Sequence, residues 1–311
     1  MGKLKTILKS PNRTLTLKTP IIGASGTYGY CDEFEDFINL EYFGAIATKG
    51  ITLEKRAGNE GDRIFEVSGG MINRIGLENI GIETFIKEKL PLLKKKKIDF
   101  LLNIAGSSAE DYKKIAKIAQ DNNIKAIEVN VSCPNVQSGC LEFGLDENCL
   151  YKLLKKIRAV YEGFLIVKLS ANTSDIKPLA IACQKAGADC ISAINTLRGL
   201  GVELDFNGKD FAKKTVQGGL SGKCIKPVAL YSISQIKSVV DIPVIAMGGI
   251  ESLDDIFEFL SVGADAVQIG TANFIKPDIC SSLAKELEDF IIKNNFKNFE
   301  SLKKKIRGKN D

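Results

Sequence analysis

Residues 126–135, Ala-Ile-Glu-Val-Asn-Val-Ser-Cys-Pro-Asn, show the pattern on which the rest of the chain is built. The segment begins as a short apolar, β-branched run, which predicts a buried parallel strand. Pro134 cannot continue a central strand, so Cys133 is expected just beyond the strand's carboxyl end. Folds that alternate strands and helices bind ligands at that end. The segment therefore predicts either a reactive thiol between amide side chains or a cysteine that fills a gap in the core.

Short apolar runs of this kind, each ending in a polar residue or glycine, recur along the 311 residues. They occupy residues 20–25, 43–49, 100–105, 126–131, 164–169, 190–196, 242–249 and 266–271. Amphipathic stretches of helical length separate them, most clearly at 108–121, 146–161, 174–186, 226–239 and 252–262. Strand–helix alternation repeated eight times predicts a (β/α)₈ TIM barrel. A doubly wound open sheet is the alternative.

Two segments depart from the simple repeat. Residues 51–80 are too glycine-rich for a helix, and residues 197–225 alternate β-like pieces with the turn signals Asn207-Gly208 and Gly218-Gly219. Both follow predicted strand ends, so we expect β-rich insertions over the C-terminal face of the barrel, with the 132–144 loop as a further cover. No linker is visible, which predicts a single barrel domain over residues 1–311. The 294–311 tail is expected to form a short helix with a frayed end.

A local repeat supports this architecture. Residues 186–194, Ala-Gly-Ala-Asp-Cys-Ile-Ser-Ala-Ile, resemble residues 262–270, Val-Gly-Ala-Asp-Ala-Val-Gln-Ile-Gly. Each segment is expected to pass from a helix end, through a glycine that suits the helix C-cap, into a strand. The pairing indicates that the same structural unit occurs at both places.

Composition narrows the class of protein. The chain is 44% hydrophobic and 26% charged, which is typical of a globular protein. No apolar run approaches the roughly 20 residues of a membrane span, and the first residues do not resemble a signal peptide, so we predict a cytoplasmic location. The net charge of +5 is modest and the lysine runs lack interleaved aromatic residues, which argues against binding to nucleic acid. Eight cysteines in a chain without a secretory signal predict thiols rather than disulfides. None of them falls in a Cys-x-x-Cys pair, which argues against a zinc or iron–sulfur site made by this chain alone.

The chain contains no histidine. This absence removes Ser–His and Cys–His nucleophilic pairs, histidine bases and histidine-ligated metals together. Any acid–base chemistry must therefore come from Cys, Lys, Tyr, Asp or Glu.

Polar residues end the apolar runs, and in a barrel these ends converge on one mouth. They are Ser25, Lys49, Asn103, Asn130 with Cys133, Lys168, Asn195 with Thr196, Gly248 with Gly249, and Gly270 with Thr271. Lys49 and Lys168 end apolar runs, where a buried ammonium calls for a negatively charged partner. Glycines after the seventh and eighth runs leave N–H groups for phosphate oxygens, which predicts a phosphorylated cofactor.

Several segments match, in order and spacing, the motifs of a known family. They are Gly-Ala-Ser-Gly (23–26), Thr-Lys-Gly (48–50), Asn-Arg-Ile-Gly-Leu (73–77), Asn-Val-Ser-Cys-Pro-Asn-Val (130–136), Val-Lys-Leu-Ser (167–170), Ile-Asn-Thr (194–196), Gly-Gly-Leu-Ser-Gly (218–222), Met-Gly-Gly-Ile (247–250) and Ile-Gly-Thr-Ala (269–272). Over nearly its whole length the chain resembles the dihydroorotate dehydrogenases, which are flavin enzymes of pyrimidine synthesis. Cys133 resembles the soluble class 1 enzymes, and residues 138–144 resemble the class 1B branch. The chain departs from the family at Cys140, where a second glycine is usual, and at Arg74, where small residues are common.

The resemblance implies one FMN per chain and a substrate stacked on it. The implied FMN contacts are Ser25, Lys49, Gly50, Asn103, Asn130, Lys168, Ile194, Gly222, Gly248, Gly249, Gly270 and Thr271. The implied dihydroorotate contacts are Lys49, Asn73, Arg74, Ile75, Gly76, Leu77, Asn130, Asn135, Asn195 and Thr196. Cys133 is the implied catalytic base, which takes the C5 proton while hydride leaves C6 for the flavin. Lys168 is implied to stabilise the anionic reduced flavin.

The class 1B resemblance also implies a partner. Dihydroorotate would be oxidised to orotate in de novo UMP synthesis, and electrons would pass to NAD⁺ through a separate iron–sulfur flavoprotein subunit. FAD and a 2Fe–2S cluster belong to that subunit, and we expect a homodimer within a heterotetramer. The alternatives are a fumarate-linked class 1A enzyme, another FMN-dependent dihydropyrimidine oxidoreductase, or a barrel without catalytic activity.

Overall fold

The computed structural model describes residues 2–31, 33, 38–132, 143–207 and 210–308. Its strands are, in chain order, β1 (Thr6–Lys9), β2 (Thr14–Leu17), β3 (Ile21–Gly23), β4 (Ala45–Ala47), β5 (Ile64–Val67), β6 (Gly70–Asn73), β7 (Phe100–Ile104), β8 (Ala126–Asn130), β9 (Phe164–Leu169), β10 (Cys190–Ala193), β11 (Leu197–Asn207), β12 (Asp210–Ser221), β13 (Val244–Met247) and β14 (Ala266–Ile269). The strands β3, β4, β7, β8, β9, β10, β13 and β14 pair in parallel and close into a ring. The predicted barrel is therefore confirmed, and each of its strands falls within one of the predicted apolar runs.

Helices follow most of the barrel strands. They are α1 (Ile82–Thr84), α2 (Leu90–Lys96), α3 (Ala109–Asp121), α4 (Glu147–Arg158), α5 (Lys177–Ala186), α6 (Lys226–Lys237), α7 (Leu253–Ser261), α8 (Ile279–Lys293) and α9 (Phe299–Ile306). A π-helical turn joins α1 to α2. Helices α3 to α7 confirm the amphipathic predictions, and α9 confirms the short helix expected in the tail. Within the described ranges, no helix is both long enough and apolar enough to cross a membrane.

Helix starts follow the local sequence signals. Ser108 and Ser252 are the N-caps of α3 and α7, and each forms a capping box with an aspartate three residues later. Asp146 caps α4, and its side chain accepts a hydrogen bond from the backbone N–H of Cys149. These caps satisfy N–H groups that the first turn of a helix leaves without partners.

Alternation along the barrel strands separates two layers of core. In β9, Phe164 and Ile166 belong to the cluster inside the barrel, whereas Leu165 and Val167 pack with the surrounding helices. The hairpin of β1 and β2 adds Leu8 and Leu17 to the inner cluster. Because this cluster also contains the first residues of several barrel strands, the hairpin closes the amino-terminal end of the barrel. The carboxyl-terminal end is left for the site.

The two predicted insertions form one antiparallel sheet in the order β11–β12–β6–β5. The prediction of short strands in residues 197–225 is wrong, because β11 and β12 form a single long hairpin. Gly218 and Gly219 lie within β12 and form no turn. A Cβ on Gly218 would lie 2.2 Å from the carbonyl oxygen of Asn73, and one on Gly219 would lie 2.2 Å from Oγ1 of Thr196. These glycines therefore allow a close approach of β6 and the barrel. The other predicted turn, at Asn207-Gly208, reaches beyond the described residues.

The repeated Gly-Ala-Asp segments form the same local structure, as predicted. Each places an aspartate just before a barrel strand. The Oδ2 atom of Asp189 accepts a hydrogen bond from the N–H of Leu165 at 2.9 Å. The Oδ2 atom of Asp265 accepts one from the N–H of Val244 at 3.0 Å. Both aspartates thus fasten the start of one strand to the neighbouring strand.

Asp265 also holds the last helix against the barrel. Its Oδ1 atom lies 3.4 Å from Nζ of Lys303 and 3.2 Å from Nη2 of Arg307, at the end of α9. Burial alone would raise the pKa of Asp265, but the charges of Lys303, Arg307 and Lys237 outweigh burial and lower it. The carboxylate is therefore ionised and paired in the folded protein.

The cysteines follow the prediction of thiols at most described positions. Cys31, Cys183, Cys190, Cys224 and Cys280 are free thiols. Cys149 is disulfide-bonded, so the prediction is wrong at that residue. Burial raises the pKa of the Cys183, Cys190 and Cys280 thiols, which keeps them protonated and unreactive.

Candidate active site

A cleft opens over the carboxyl-terminal ends of the barrel strands. Barrel residues form its floor, and β6 and the end of β12 form one wall. The predicted site residues that line it are Ser25, Asn73, Ile75, Lys168, Ile194, Asn195, Thr196, Gly222, Gly248, Gly249, Gly270 and Thr271. These residues are scattered over almost 250 positions of sequence, and the barrel brings them to a single cleft.

Glycine backbones form one corner of this cleft. Gly222, Gly248 and Gly249 have φ angles of 105°, 126° and 72°, which side chains rarely tolerate. A Cβ on Gly249 would lie 2.8 Å from Cβ of Lys226 and 3.0 Å from the carbonyl oxygen of Gly222, so the two loops touch through their backbones. Within the described part of the chain, the N–H groups of Gly249 and Gly270 donate no hydrogen bond. This corner can accept an anion such as a phosphate.

Hydroxyl groups flank the same corner. The Thr271 hydroxyl lies 2.8 Å from the Ser221 hydroxyl, and both residues line the cleft. Lys226 begins α6 nearby, but its ammonium is already paired, at 2.6 Å with Asp255 and 2.7 Å with Glu258. Backbone N–H groups and hydroxyls, rather than this lysine, are therefore the donors available for an anion.

Lys168 lies on the floor of the cleft at the end of β9. It is 6% exposed, and its neighbours across the ladder are Asn130 and Ser192. Among the described residues, its ammonium forms neither an ion pair nor a hydrogen bond with a protein group. A buried cation in this position is suited to stabilise negative charge on a bound ligand.

Amide side chains occupy the neighbouring strand ends. The Nδ2 group of Asn195 donates to Oδ1 of Asn130 at 3.2 Å, and the same oxygen accepts from the N–H of Ser132 at 3.2 Å. On the opposite wall, Nδ2 of Asn73 donates to the carbonyl oxygen of Gly219 at 3.0 Å. Asn195, Thr196 and Asn73 line the cleft, whereas Asn130 lies behind Asn195. The amides thus have fixed orientations around the space where a ring substrate would bind.

The second predicted lysine has a different environment. Lys49 does not line the cleft; its ammonium lies 3.5 Å from Oε1 of Glu78 and 5.9 Å from the centre of the Tyr30 ring. The charges of Lys49 and Arg63 lower the pKa of Glu78. The predicted contact of Lys49 with FMN and substrate stays a prediction, because Glu78 is its present partner.

Further predicted contacts also lie outside the cleft lining. They are Gly50, Arg74, Gly76, Leu77 and Asn103. Arg74 is exposed. Asn103 is fully buried inside the barrel. The loop that carries Arg74 borders the cleft through Ile75.

The predicted catalytic base, Cys133, lies outside the described residues, as do Asn135 and the unusual Cys140. Asn130 and Ser132 precede Cys133 at the end of β8, which is the position that the sequence predicts for the strand end. The roles of Cys133 and Asn135 stay predictions.

Sequence reasoning missed two polar residues below the cleft. Glu128 and Gln268 are buried inside the barrel, and Nε2 of Gln268 donates to Oε1 of Glu128 at 2.6 Å. Gln268 lines the cleft as well. Each residue stands alone as a polar side chain within an apolar strand, and this interruption is the signal that could have identified both.

A parallel barrel with a glycine-lined anion corner and a buried cation at its carboxyl-terminal end is characteristic of a barrel enzyme that binds a phosphorylated ligand. The family model described as dihydroorotate dehydrogenase matches residues 7–291. The chain belongs to this family.

Individual relatives agree with the family match. The chain is 43% identical over 289 residues to the protein named dihydroorotate dehydrogenase B (NAD(+)), catalytic subunit, of Geotalea daltonii, covering 93% of this chain and 94% of that one. It is 42% identical over 289 residues to the protein of the same name from Bacteroides thetaiotaomicron, covering 93% and 95%. The solved structure of DHODH from Eimeria tenella in complex with ferulenol superimposes with a TM-score of 0.76 at 18% identity, covering 99% of this chain and 88% of that one. This structure supports the fold.

Proposed function

We propose that this protein oxidises dihydroorotate to orotate in the de novo synthesis of UMP, with one FMN in a single barrel domain as the hydride acceptor. The observation that carries the proposal is the Lys168 ammonium, which lies buried on the cleft floor with no anionic partner among the described residues. Membership in the dihydroorotate dehydrogenase family and relatives above 40% identity support the choice of substrate.

The residues present fit FMN on two further observations. Gly249 and Gly270 offer N–H groups, and at Gly249 the neighbouring loop is too close for a side chain, which suits a phosphate. Below the cleft, the Oδ1 atom of Asn103 and the Oε1 atom of Gln268 are buried and have no hydrogen-bond partner among the residues that the structure describes. Bound FMN would supply hydride acceptance, phosphate oxygens and hydrogen-bond donors.

The roles of the protein residues follow from their chemistry. Lys168 would offset negative charge that develops on the ring system next to it. Asn73, Asn195 and Thr196 would orient the substrate, because amide and hydroxyl groups can both donate and accept hydrogen bonds with an imide-bearing ring. Cys133 would take the substrate proton, since the chain contains no histidine and a thiol is a plausible base where its surroundings favour thiolate.

The relatives' names also support an electron-transfer partner. Both are called catalytic subunits of an NAD(+)-dependent dihydroorotate dehydrogenase B. We therefore favour a cytoplasmic complex in which a homodimer of this chain joins an iron–sulfur flavoprotein subunit that carries FAD and a 2Fe–2S cluster. That subunit would pass electrons to NAD⁺. A fumarate-linked enzyme is the second candidate, because Cys133 is shared by both class 1 branches.

Anaerobic reduction tests the reaction. The purified holoenzyme should lose its flavin absorbance on mixing with dihydroorotate, and NAD⁺ with the partner subunit should restore it. Restoration by fumarate alone would indicate the fumarate-linked branch. If another dihydropyrimidine reduces the flavin in preference to dihydroorotate, that compound replaces dihydroorotate as the proposed substrate. A flavin that dithionite bleaches but dihydroorotate does not would contradict the proposal.

Replacement of Cys133 by alanine tests the base. We expect flavin reduction by dihydroorotate to slow by about 10²–10⁴-fold, the usual loss when a general base is removed. Cys224→Ala is the control, because Cys224 is an exposed free thiol. Stopped-flow absorbance measures both variants, and a near-normal rate for C133A would refute the assignment.

A further inference from the structure

Glu128 is a fully buried carboxylate in the middle of β8, inside the barrel. It accepts three hydrogen bonds from neighbouring strands. Nδ2 of Asn103 donates to Oε2 at 2.6 Å. Oγ of Ser192 and Nε2 of Gln268 donate to Oε1 at 2.8 Å and 2.6 Å. The carboxylate is therefore held by neutral donors from β7, β10 and β14.

This arrangement fixes the orientation of two amides. Asn103 donates to Glu128 through Nδ2 and Gln268 donates through Nε2, so the NH₂ groups of both amides face Glu128 and their carbonyl oxygens face away. Those two oxygens are buried and have no hydrogen-bond partner within the described part of the chain. Leaving such a buried acceptor unpaired destabilises the folded protein. If the amides turned, their oxygens would face the carboxylate instead, so Glu128 prevents this.

The two acceptors lie where a bound ligand can reach the barrel interior. Gln268 lines the cleft, on the strand that ends in Gly270 and Thr271. Oδ1 of Asn103 lies beside Gly50, 3.2 Å from the point where a Cβ would stand. Lys168, which can only donate, lies on the same floor. The cleft floor thus combines the donor Lys168 with the acceptor Gln268, and the Asn103 oxygen lies next to Gly50, outside the cleft lining.

We propose that Glu128 is a positioning residue for the flavin: it holds Asn103 and Gln268 with their carbonyl oxygens directed at hydrogen-bond donors of the bound FMN. The identity of the ligand rests on the proposed function. The donors on FMN are the ring N–H and the ribityl hydroxyls. A purely structural role does not account for the arrangement, because an apolar residue at position 128 would avoid burying a polar group and would leave no reason to orient two unpaired acceptors.

Glu128→Gln tests the proposal with little change of shape. The new amide keeps an oxygen for Ser192 and Gln268, and its NH₂ group faces Asn103. Asn103 must then turn to accept that hydrogen bond, which points its NH₂ group to the place where its oxygen stood. One of the two acceptors becomes a donor. We expect the Kd of the apoprotein for FMN, measured by quenching of flavin fluorescence, to rise at least about tenfold, and the visible flavin spectrum to shift.

The double variant E128Q/N103D provides the rescue. The new carboxylate at position 103 accepts from the new amide at position 128 with one oxygen and presents its other oxygen as the original acceptor. We expect the Kd for FMN to return to within about threefold of the wild-type value. Ser192→Ala is the matched control, because it removes a donor to Glu128 without reversing either amide. It should lower the thermal stability of the apoprotein and leave the Kd unchanged.

The outcomes separate this inference from the proposed reaction. Wild-type affinity in a folded E128Q, or a folded double variant that does not regain affinity, would overturn the positioning role. The same conclusion follows if S192A weakens FMN binding as much as E128Q does. Because the Kd and the spectrum need no substrate, a wild-type protein that binds FMN but ignores dihydroorotate would overturn the reaction alone. A wild-type protein that binds no FMN would overturn both.

Discussion

Replacing Gly249 by alanine should weaken FMN binding far more than the same change at Gly61. The two glycines have almost the same φ angle, 72° and 73°. A side chain in this left-handed region costs roughly 1–2 kcal/mol at either position. The strain is thus matched, and any difference between the variants must come from the surroundings of the new Cβ atom.

Those surroundings differ sharply. At Gly61 no heavy atom lies within 4 Å of the new Cβ. At Gly249 the new Cβ would lie 2.8 Å from Cβ of Lys226, 3.0 Å from the carbonyl oxygen of Gly222 and 3.1 Å from Cα of Lys223. Ordinary carbon contacts are about 3.5–4.0 Å, so the two loops must separate by roughly 0.5–1 Å. Such a shift would disturb hydrogen bonds to a phosphate, each worth about 1.5–3 kcal/mol when charged.

We therefore expect the Kd for FMN to rise about 10–100-fold in G249A, which corresponds to about 1.4–2.7 kcal/mol. In G61A it should stay within about twofold of the wild-type value. Fluorescence titration of the apoproteins gives the Kd values, and urea unfolding gives their stabilities. Equal Kd values for the two folded variants would show that the corner around Gly249 does not hold the phosphate.

The other predictions concern charge, substrate binding and pH. Lys168→Met should lower the reduction potential of the bound flavin, measured by redox titration, because it removes the cation that favours the reduced anion; an unchanged potential would contradict this role. Gly218→Ala should raise the KM for dihydroorotate and leave the Kd for FMN unchanged, since the new Cβ would collide with the carbonyl oxygen of Asn73. Steady-state kinetics measures the KM, and an unchanged KM with a raised Kd for FMN would contradict the prediction. Because its folded-state pKa is lowered, Asp265 should stabilise the protein above its ordinary pKa of about 3.9 and lose this contribution as the pH falls through the folded-state pKa. Asp265→Asn should therefore reduce the free energy of unfolding at pH 7 and flatten its decline towards pH 3. If urea unfolding gives the variant and the wild-type protein the same decline over that range, the assignment is refuted.

The barrel was predictable because its strands are buried on both sides. Parallel strands of this kind appear as continuous apolar runs, and the amphipathic segments between them have helical length. The Gly-Ala-Asp repeat carried further information, since Asp189 and Asp265 each bind an N–H group of the adjacent strand. Local sequence was sufficient for these elements because the residues that form a strand, a helix or a helix end are consecutive in the chain.

Long-range approach could not be predicted in the same way. The Gly218-Gly219 pair has the composition of a turn, but both residues are in a strand where Asn73 and Thr196 come too close for a side chain. The environment of Lys49 depends likewise on Glu78, which belongs to the loop after β6. In each case the deciding neighbour is distant in sequence, and a pattern within one segment contains no record of it.

The buried polar residues are an intermediate case, because the alternation of a strand points to them. Along β9 the positions that face the barrel interior carry Phe164, Ile166 and then Lys168. Along β8 the equivalent positions are Ala126, Glu128 and Asn130. The first polar side chain that faces the interior therefore comes one position earlier in β8 than in β9. Because side chains alternate with a period of two, counting back from Asn130 places Glu128 inside the barrel and directly below the site. A buried carboxylate there needs donors, and only the neighbouring strands can supply them. An interpretation of β8 as a uniformly apolar strand therefore misses Glu128, the residue that orients the amides of Asn103 and Gln268.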